Sequence, residues 1–192
     1  CADDAHQYIN AFVGANQLAI ANEVGMYTKD VLGGTGKVCI INGKEGKTDF
    51  VQRSEGFRKA LEGTDIEILA EEYSDSDRTQ AQTIMENFLT TYPEIDLVFT
   101  ASDDFGYGAL NAIQAAGKAG QIKIVSIDGQ QEVLQAIKAG DWDLTIYQTP
   151  EMMADKVVEV ANRIFAGETI EEYNQNTDYY LVTSENVDDY LE

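Results

Sequence analysis

Three polar signatures each follow an apolar run of strand length. They are Leu97-Val98-Phe99-Thr100-Ala101-Ser102-Asp103-Asp104, Ile122-Lys123-Ile124-Val125-Ser126-Ile127-Asp128-Gly129 and Leu144-Thr145-Ile146-Tyr147-Gln148-Thr149-Pro150. In an open parallel α/β sheet, ligands bind in the crevice beyond the carboxyl ends of the strands, so polar side chains placed there converge on one spot. A hydroxyl, a carboxylate and an amide lined up in this way suit a neutral, hydroxyl-rich ligand. Plain structural roles stay open at the same positions. Asp128 before Gly129 reads equally well as a turn residue and helix cap, and Phe50, Phe105 and Tyr147, next to the candidate loops, read as ordinary core aromatics.

Alternating strand-length apolar runs and segments of helical period must hold these residues, a pattern that signals βα units and a parallel sheet. Helices are expected at 17–32, 49–62, 78–91, 104–117, 130–139 and 151–166, and strands at 37–42, 66–71, 96–101, 122–127, 143–148 and 178–183, with a short helix at 185–191. Gly33-Gly34 ends the first helix, Asp75 or Asp77 caps the third, and Pro93 stops it. Right-handed crossovers then place helices on both faces of a twisted, mostly parallel, doubly wound α/β sheet. The helix 151–166 is amphipathic, and 168–177 is the only linker-like stretch.

At 192 residues the chain is long enough for one domain with a sizeable core. Its 34 acidic against 13 basic residues give a formal charge of −21, which repels phosphate backbones and anionic membranes, so no nucleic-acid partner is expected. No apolar run has transmembrane length. Cys39, inside Val38-Cys39-Ile40-Ile41, reads as a small buried hydrophobe. Cys1 is compatible with the lipidated first residue of a mature bacterial lipoprotein, although a lone Cys says little.

Enzymatic readings fail on spacing. Gly43-Lys44-Glu45-Gly46-Lys47-Thr48 follows a strand and precedes a helix as a phosphate-binding loop does, but Ile41 stands where the motif needs its first glycine. His6 is the only histidine and has no serine-elbow motif to serve. Zinc lacks a Cys/His cluster, and the acidic pairs do not fit a calcium loop. No catalytic residue, metal or cofactor is expected.

The chain resembles the type I periplasmic sugar-binding proteins of ABC importers, a family that shares its fold with lactose-repressor effector domains. The resemblance is carried by Val13-Gly14-Ala15-Asn16-Gln17, Gly33 to Asn42, Arg53-Ser54-Glu55-Gly56-Phe57, Asp75-Ser76-Asp77-Arg78, Met85-Glu86-Asn87-Phe88-Leu89, Phe99 to Leu110, Val125 to Gly129 and Tyr147-Gln148-Thr149-Pro150. These runs cover nearly the whole chain in order. The resemblance implies that Arg53 donates to ring or hydroxyl oxygens, Asp128 accepts from hydroxyls and Gln148 contacts the ligand at a hinge. Asn16, Phe50, Ser76, Ser102 and Asp103 complete the candidate ligand set. Ser102 stands where the ribose-type pattern has asparagine, and Ser76 where it has a stacking aromatic, so the resemblance implies a sugar or polyol without identifying it. Arg53 taken alone reads as an exposed helix residue paired with a carboxylate. As a fork of donors beside an accepting carboxylate, it matches vicinal hydroxyls.

Members of the family clamp ligand between two lobes, and this sequence begins where the family crosses into the second. The resemblance implies a ligand-binding lobe over 1–148, a crossover helix and linker over 149–177 that pack on the first lobe, and a returning strand and short helix over 178–192. It also implies an extracytoplasmic protein whose partners are the small-molecule sugar and a membrane permease. If the lobe stands alone, the apolar stripe of helix 151–166 is expected to favour a homodimer. An effector-binding regulatory or sensory module of the same fold is the alternative from another class.

Overall fold

The computed structural model describes residues 9–75 and 77–192. Cys1, His6 and Ser76, on which expectations above rest, lie outside the described residues. In chain order the elements are β1 (Phe12–Gly14), α1 (Gln17–Val31), β2 (Thr35–Asn42), α2 (Thr48–Ala60), β3 (Asp65–Tyr73), α3 (Arg78–Thr91), β4 (Leu97–Thr100), α4 (Asp103–Ala115), β5 (Lys123–Asp128), α5 (Gln131–Ala139), β6 (Leu144–Tyr147), α6 (Pro150–Phe165), β7 (Asn174–Asn176) and β8 (Tyr180–Thr183). A 3₁₀ turn at Val187–Asp189 stands where a short helix was expected over 185–191.

The described chain forms two compact units. The larger comprises Gln17–Tyr147 and Tyr180–Glu192, and the smaller comprises residues 9–16 and Gln148–Tyr179. These limits differ from the expected segments at the N-terminal end, for reasons of strand pairing. β1 pairs in parallel with β7, which draws residues 9–16 out of the expected lobe, and β8 pairs antiparallel with β6, which returns the C-terminus to the larger unit.

In the larger unit six strands run in the order β3-β2-β4-β5-β6-β8, all parallel except β8. Successive strand residues face opposite sides. Cys39, Ile41, Val98 and Ile124 pack with α3, α4 and α5 on one face, while on the other Phe57 of α2 stacks on Phe99 of β4 at 4.2 Å between ring centroids. The capping chemistry read from the sequence is present. Asp77 accepts from the Thr79 N–H at 2.7 Å at the start of α3, and Gly33 and Gly34 adopt φ of 63° and 78° after α1. Cys39 is a buried free thiol.

The smaller unit is a two-stranded sheet with α6 lying against β1. Thr149 caps α6, Pro150 opens it, and Val160 is its one buried residue. Met153, Val157, Val158 and Phe165 on the same helix are exposed, Phe165 to 87%. β7, within the stretch expected to be a linker, is the polar triplet Asn-Gln-Asn and carries no alternation that could have marked it as a strand. No helix of the described residues is long and apolar enough to cross a membrane.

Candidate functional site

β2 lies between β3 and β4, so the connections leaving this pair of neighbours turn in opposite directions and a crevice opens beyond the ends of β2 and β4. Arg53 enters there from α2, and only 8% of its side chain is exposed. Its Nε donates to Gln17 Oε1 at 2.7 Å, and its Nη1 donates both to the Ala101 carbonyl just past β4 and to Asp128 Oδ1 at 3.2 Å. The guanidinium is thereby held in one orientation by α1, β4 and β5 together.

Asp128 is the last residue of β5 and has φ of 144°. Residues other than glycine seldom occupy that region, and such departures cluster at ligand sites. Its second oxygen, Oδ2, accepts from Ser102 Oγ at 2.9 Å. Ser102 is also the N-cap of α4, its hydroxyl oxygen accepting from the Asp104 N–H at 3.3 Å. Arg53, Asp128 and Ser102 therefore form one contiguous set, and Asp128 keeps 31% of its side chain exposed.

Phe50, one turn before Arg53, lies beside this set. It packs on Phe105 at 5.9 Å between centroids, with the Arg53 guanidinium 5.8 Å and the Lys47 ammonium 4.9 Å from its ring centre, within cation–π range. It is 9% exposed, so most of its surface belongs to the core, as its plain structural reading held.

Asp103 departs from expectation. Its carboxylate is fully buried and faces the protein, where Oδ1 accepts from the hydroxyls of Ser126 at 2.5 Å and Thr145 at 2.8 Å while Oδ2 accepts from the Gln130 N–H at 2.8 Å. Burial, and then the charge of Asp128, push its pKa up to about 7, against the pull of those three donors. It has no exposed surface, and these contacts are all to the protein.

Asn16 and Gln148 belong to the smaller unit, while Arg53, Ser102 and Asp128 belong to the larger. The Ala101 carbonyl, Ser126 and Thr145 were not singled out from the sequence, and Gln17 was quoted only within the run Val13 to Gln17 that carries the resemblance. Ser126 and Thr145 sit within the quoted strand runs, where a buried hydroxyl on an inward-facing position was the available signal. The Ala101 carbonyl offered none, because its role depends on where the Arg53 side chain travels. Among the described residues, no group of three or more His, Cys, Asp or Glu is placed to hold a metal ion.

Residues 2–169 match the family model described as a periplasmic binding protein domain. Over 147 residues the chain is 35% identical to the ribose import binding protein RbsB of Salmonella typhimurium strain LT2, an alignment covering 77% of this chain and 49% of that protein. An ABC transporter periplasmic solute binding protein from Actinobacillus succinogenes 130z, solved with bound D-allose, superposes with TM-score 0.91 at 27% identity, covering 98% of this chain and 67% of that one. An ABC transporter solute binding protein from Bacillus halodurans C-125, solved with bound myo-inositol, superposes with TM-score 0.87 at 30% identity, covering 98% and 65%.

The fold and the matched model define a periplasmic binding protein class of α/β domain. This chain belongs to that family, in agreement with the motifs read from its sequence, and it spans about half the length of the curated relatives it matches.

Proposed function

We propose that this chain carries the ligand-reading surface of the substrate-binding component of a bacterial ABC importer, and that its ligand is a sugar or polyol. The observation that carries the reading is the Arg53–Asp128–Ser102 set at the strand ends, in which a forked donor and an accepting carboxylate lie side by side. Neighbouring hydroxyls of a neutral ligand complement that arrangement without leaving charge unpaired. The relatives add support, since their names and contents are ribose, D-allose and myo-inositol, all ring polyols.

On this reading the protein works outside the cytoplasm, performs no catalytic step and delivers ligand to a membrane permease. Phe50 lends an apolar edge. Ligand binding favours a closed arrangement because its contacts are complete only there.

The experiment is an amide NMR titration of the chain with pentoses, hexoses and polyols up to tens of millimolar. The expected result is saturable shifts centred on Arg53, Ser102 and Asp128, with a dissociation constant in the millimolar range, about −4 kcal/mol. The absence of saturable shifts with every sugar and polyol overturns the reading.

A further inference from the structure

We infer that Asp103 is a positioning residue whose buried carboxylate holds the Asp128-Gly129-Gln130 turn, so that Asp128 presents its own carboxylate to a polyhydroxylated ligand. The inference rests on the proposed sugar or polyol site and concerns what keeps that site in shape.

The turn needs holding. Asp128 has φ of 144° and Gly129 φ of 81°, two successive residues in regions that L side chains avoid. Gly129 has no alternative, since a Cβ there would lie 2.5 Å from Tyr147 Cα. Such conformations persist only where the surroundings over-determine them.

Two successive backbone N–H groups after Asp128 lead to Asp103. The Gln130 N–H donates directly to Oδ2 at 2.8 Å. The Gly129 N–H donates to Thr145 Oγ1 at 3.2 Å, and that hydroxyl in turn donates to Oδ1 at 2.8 Å. A third branch runs from Trp142 Nε1 to Ser126 Oγ at 3.1 Å and on to the same Oδ1. A hydroxyl has one proton, and both hydroxyls accept an N–H, so both protons point at Asp103. Three donors converge on one side chain, which in its ionised form accepts at both oxygens. Asparagine is close to isosteric, but its NH2 would face a donor at one of the two positions.

The test compares the whole chain with Asp103→Asn and Thr145→Val, and with Ile137→Val, which trims the core under α5 away from the turn. Three quantities are read: the dissociation constants for D-allose and myo-inositol by NMR, the HN–Hα coupling of Asp128 with amide exchange at Gly129 and Gln130, and the urea midpoint. Positive φ at Asp128 gives a small coupling, whereas ordinary extended backbone gives a large one. The expected result is that Asp103→Asn and Thr145→Val each weaken binding at least fivefold, change the Asp128 coupling and speed exchange at Gly129 and Gln130. Ile137→Val lowers the midpoint and leaves binding unchanged.

Wild-type affinity and coupling in both turn variants overturn the inference, as does an equal loss of affinity in Ile137→Val. If Asp103→Asn does not fold, Thr145→Val decides. If the wild-type chain binds no sugar or polyol, the proposed function fails, and the coupling and exchange data still decide whether Asp103 holds the turn.

Discussion

Arg53 Nη1 and Asp128 Oδ1 meet at 3.2 Å although 75 residues separate them along the chain. One comes from the first turns of a helix, the other from the last position of a strand, and the sheet order alone brings them together. The pair is a donor fork set beside an acceptor before any ligand arrives, which lowers the ordering cost that binding would otherwise carry.

Arg53→Ala is expected to abolish sugar or polyol binding and to lower stability by roughly 1–3 kcal/mol, because the Ala101 carbonyl, Gln17 and Asp128 lose a shared donor. Arg53→Lys keeps the charge without the planar fork, so most of the fold stability returns while binding does not. Urea denaturation and the amide titration, run on both variants, separate the two effects.

Asp103 makes stability depend on pH with an unusual sign for an aspartate. Its folded pKa is raised from 3.8 to about 7 by burial and by Asp128. Between those values the folded protein holds a proton that the unfolded chain has released, so this contribution is complete below about pH 4 and is lost as pH rises through about 7. Urea midpoints measured across that window are expected to show a component that falls with rising pH and disappears in Asp103→Asn.

Gly56→Ala is expected to destabilise the larger unit by about 1–3 kcal/mol. A Cβ at Gly56 would stand 2.2 Å from the Leu18 carbonyl, and one at Gly25 would stand 2.7 Å from the Phe57 carbonyl, so α1 and α2 touch backbone to backbone. Since α1 carries Gln17 and α2 carries Arg53, spreading the helices also displaces the guanidinium. The urea midpoint and the Arg53 Nε–Hε NMR signal should move together.

Cys39 is expected to resist alkylation in the native protein. It has no exposed surface, and burial pushes its thiol up to about 12, leaving little thiolate to react. Modification at Cys39, located by peptide mass mapping so that Cys1 is not counted, should begin only where urea unfolds the larger unit, and rapid modification of Cys39 under native conditions would contradict this.

The elements that place the site were legible because each carries a strong signal. Val38 to Ile41 and Leu97 to Phe99 are unbroken apolar runs, Phe50, Phe57 and Leu61 repeat at helical spacing, and all are buried. Arg53, Ser102 and Asp128 were read as candidate ligand residues through family resemblance, and the structure brings those three into contact. Asp103 was grouped with Ser102 because adjacent polar residues at a helix start look alike in sequence. The helix turns one toward the crevice and the next into the protein. β1 and β7 escaped notice for a different reason, since three-residue strands are too short for a period and gain their identity only from each other.

The chain has a single tryptophan, and Trp142 is tied to the carboxylate network through Ser126. Its indole is 3% exposed, and its N–H is shared between Ser126 Oγ and the Leu144 carbonyl, both at 3.1 Å. The molecule thus contains its own fluorescent reporter, wired to the turn that bears Asp128. Its emission offers a label-free optical signal of that turn's state, with no second indole to obscure it.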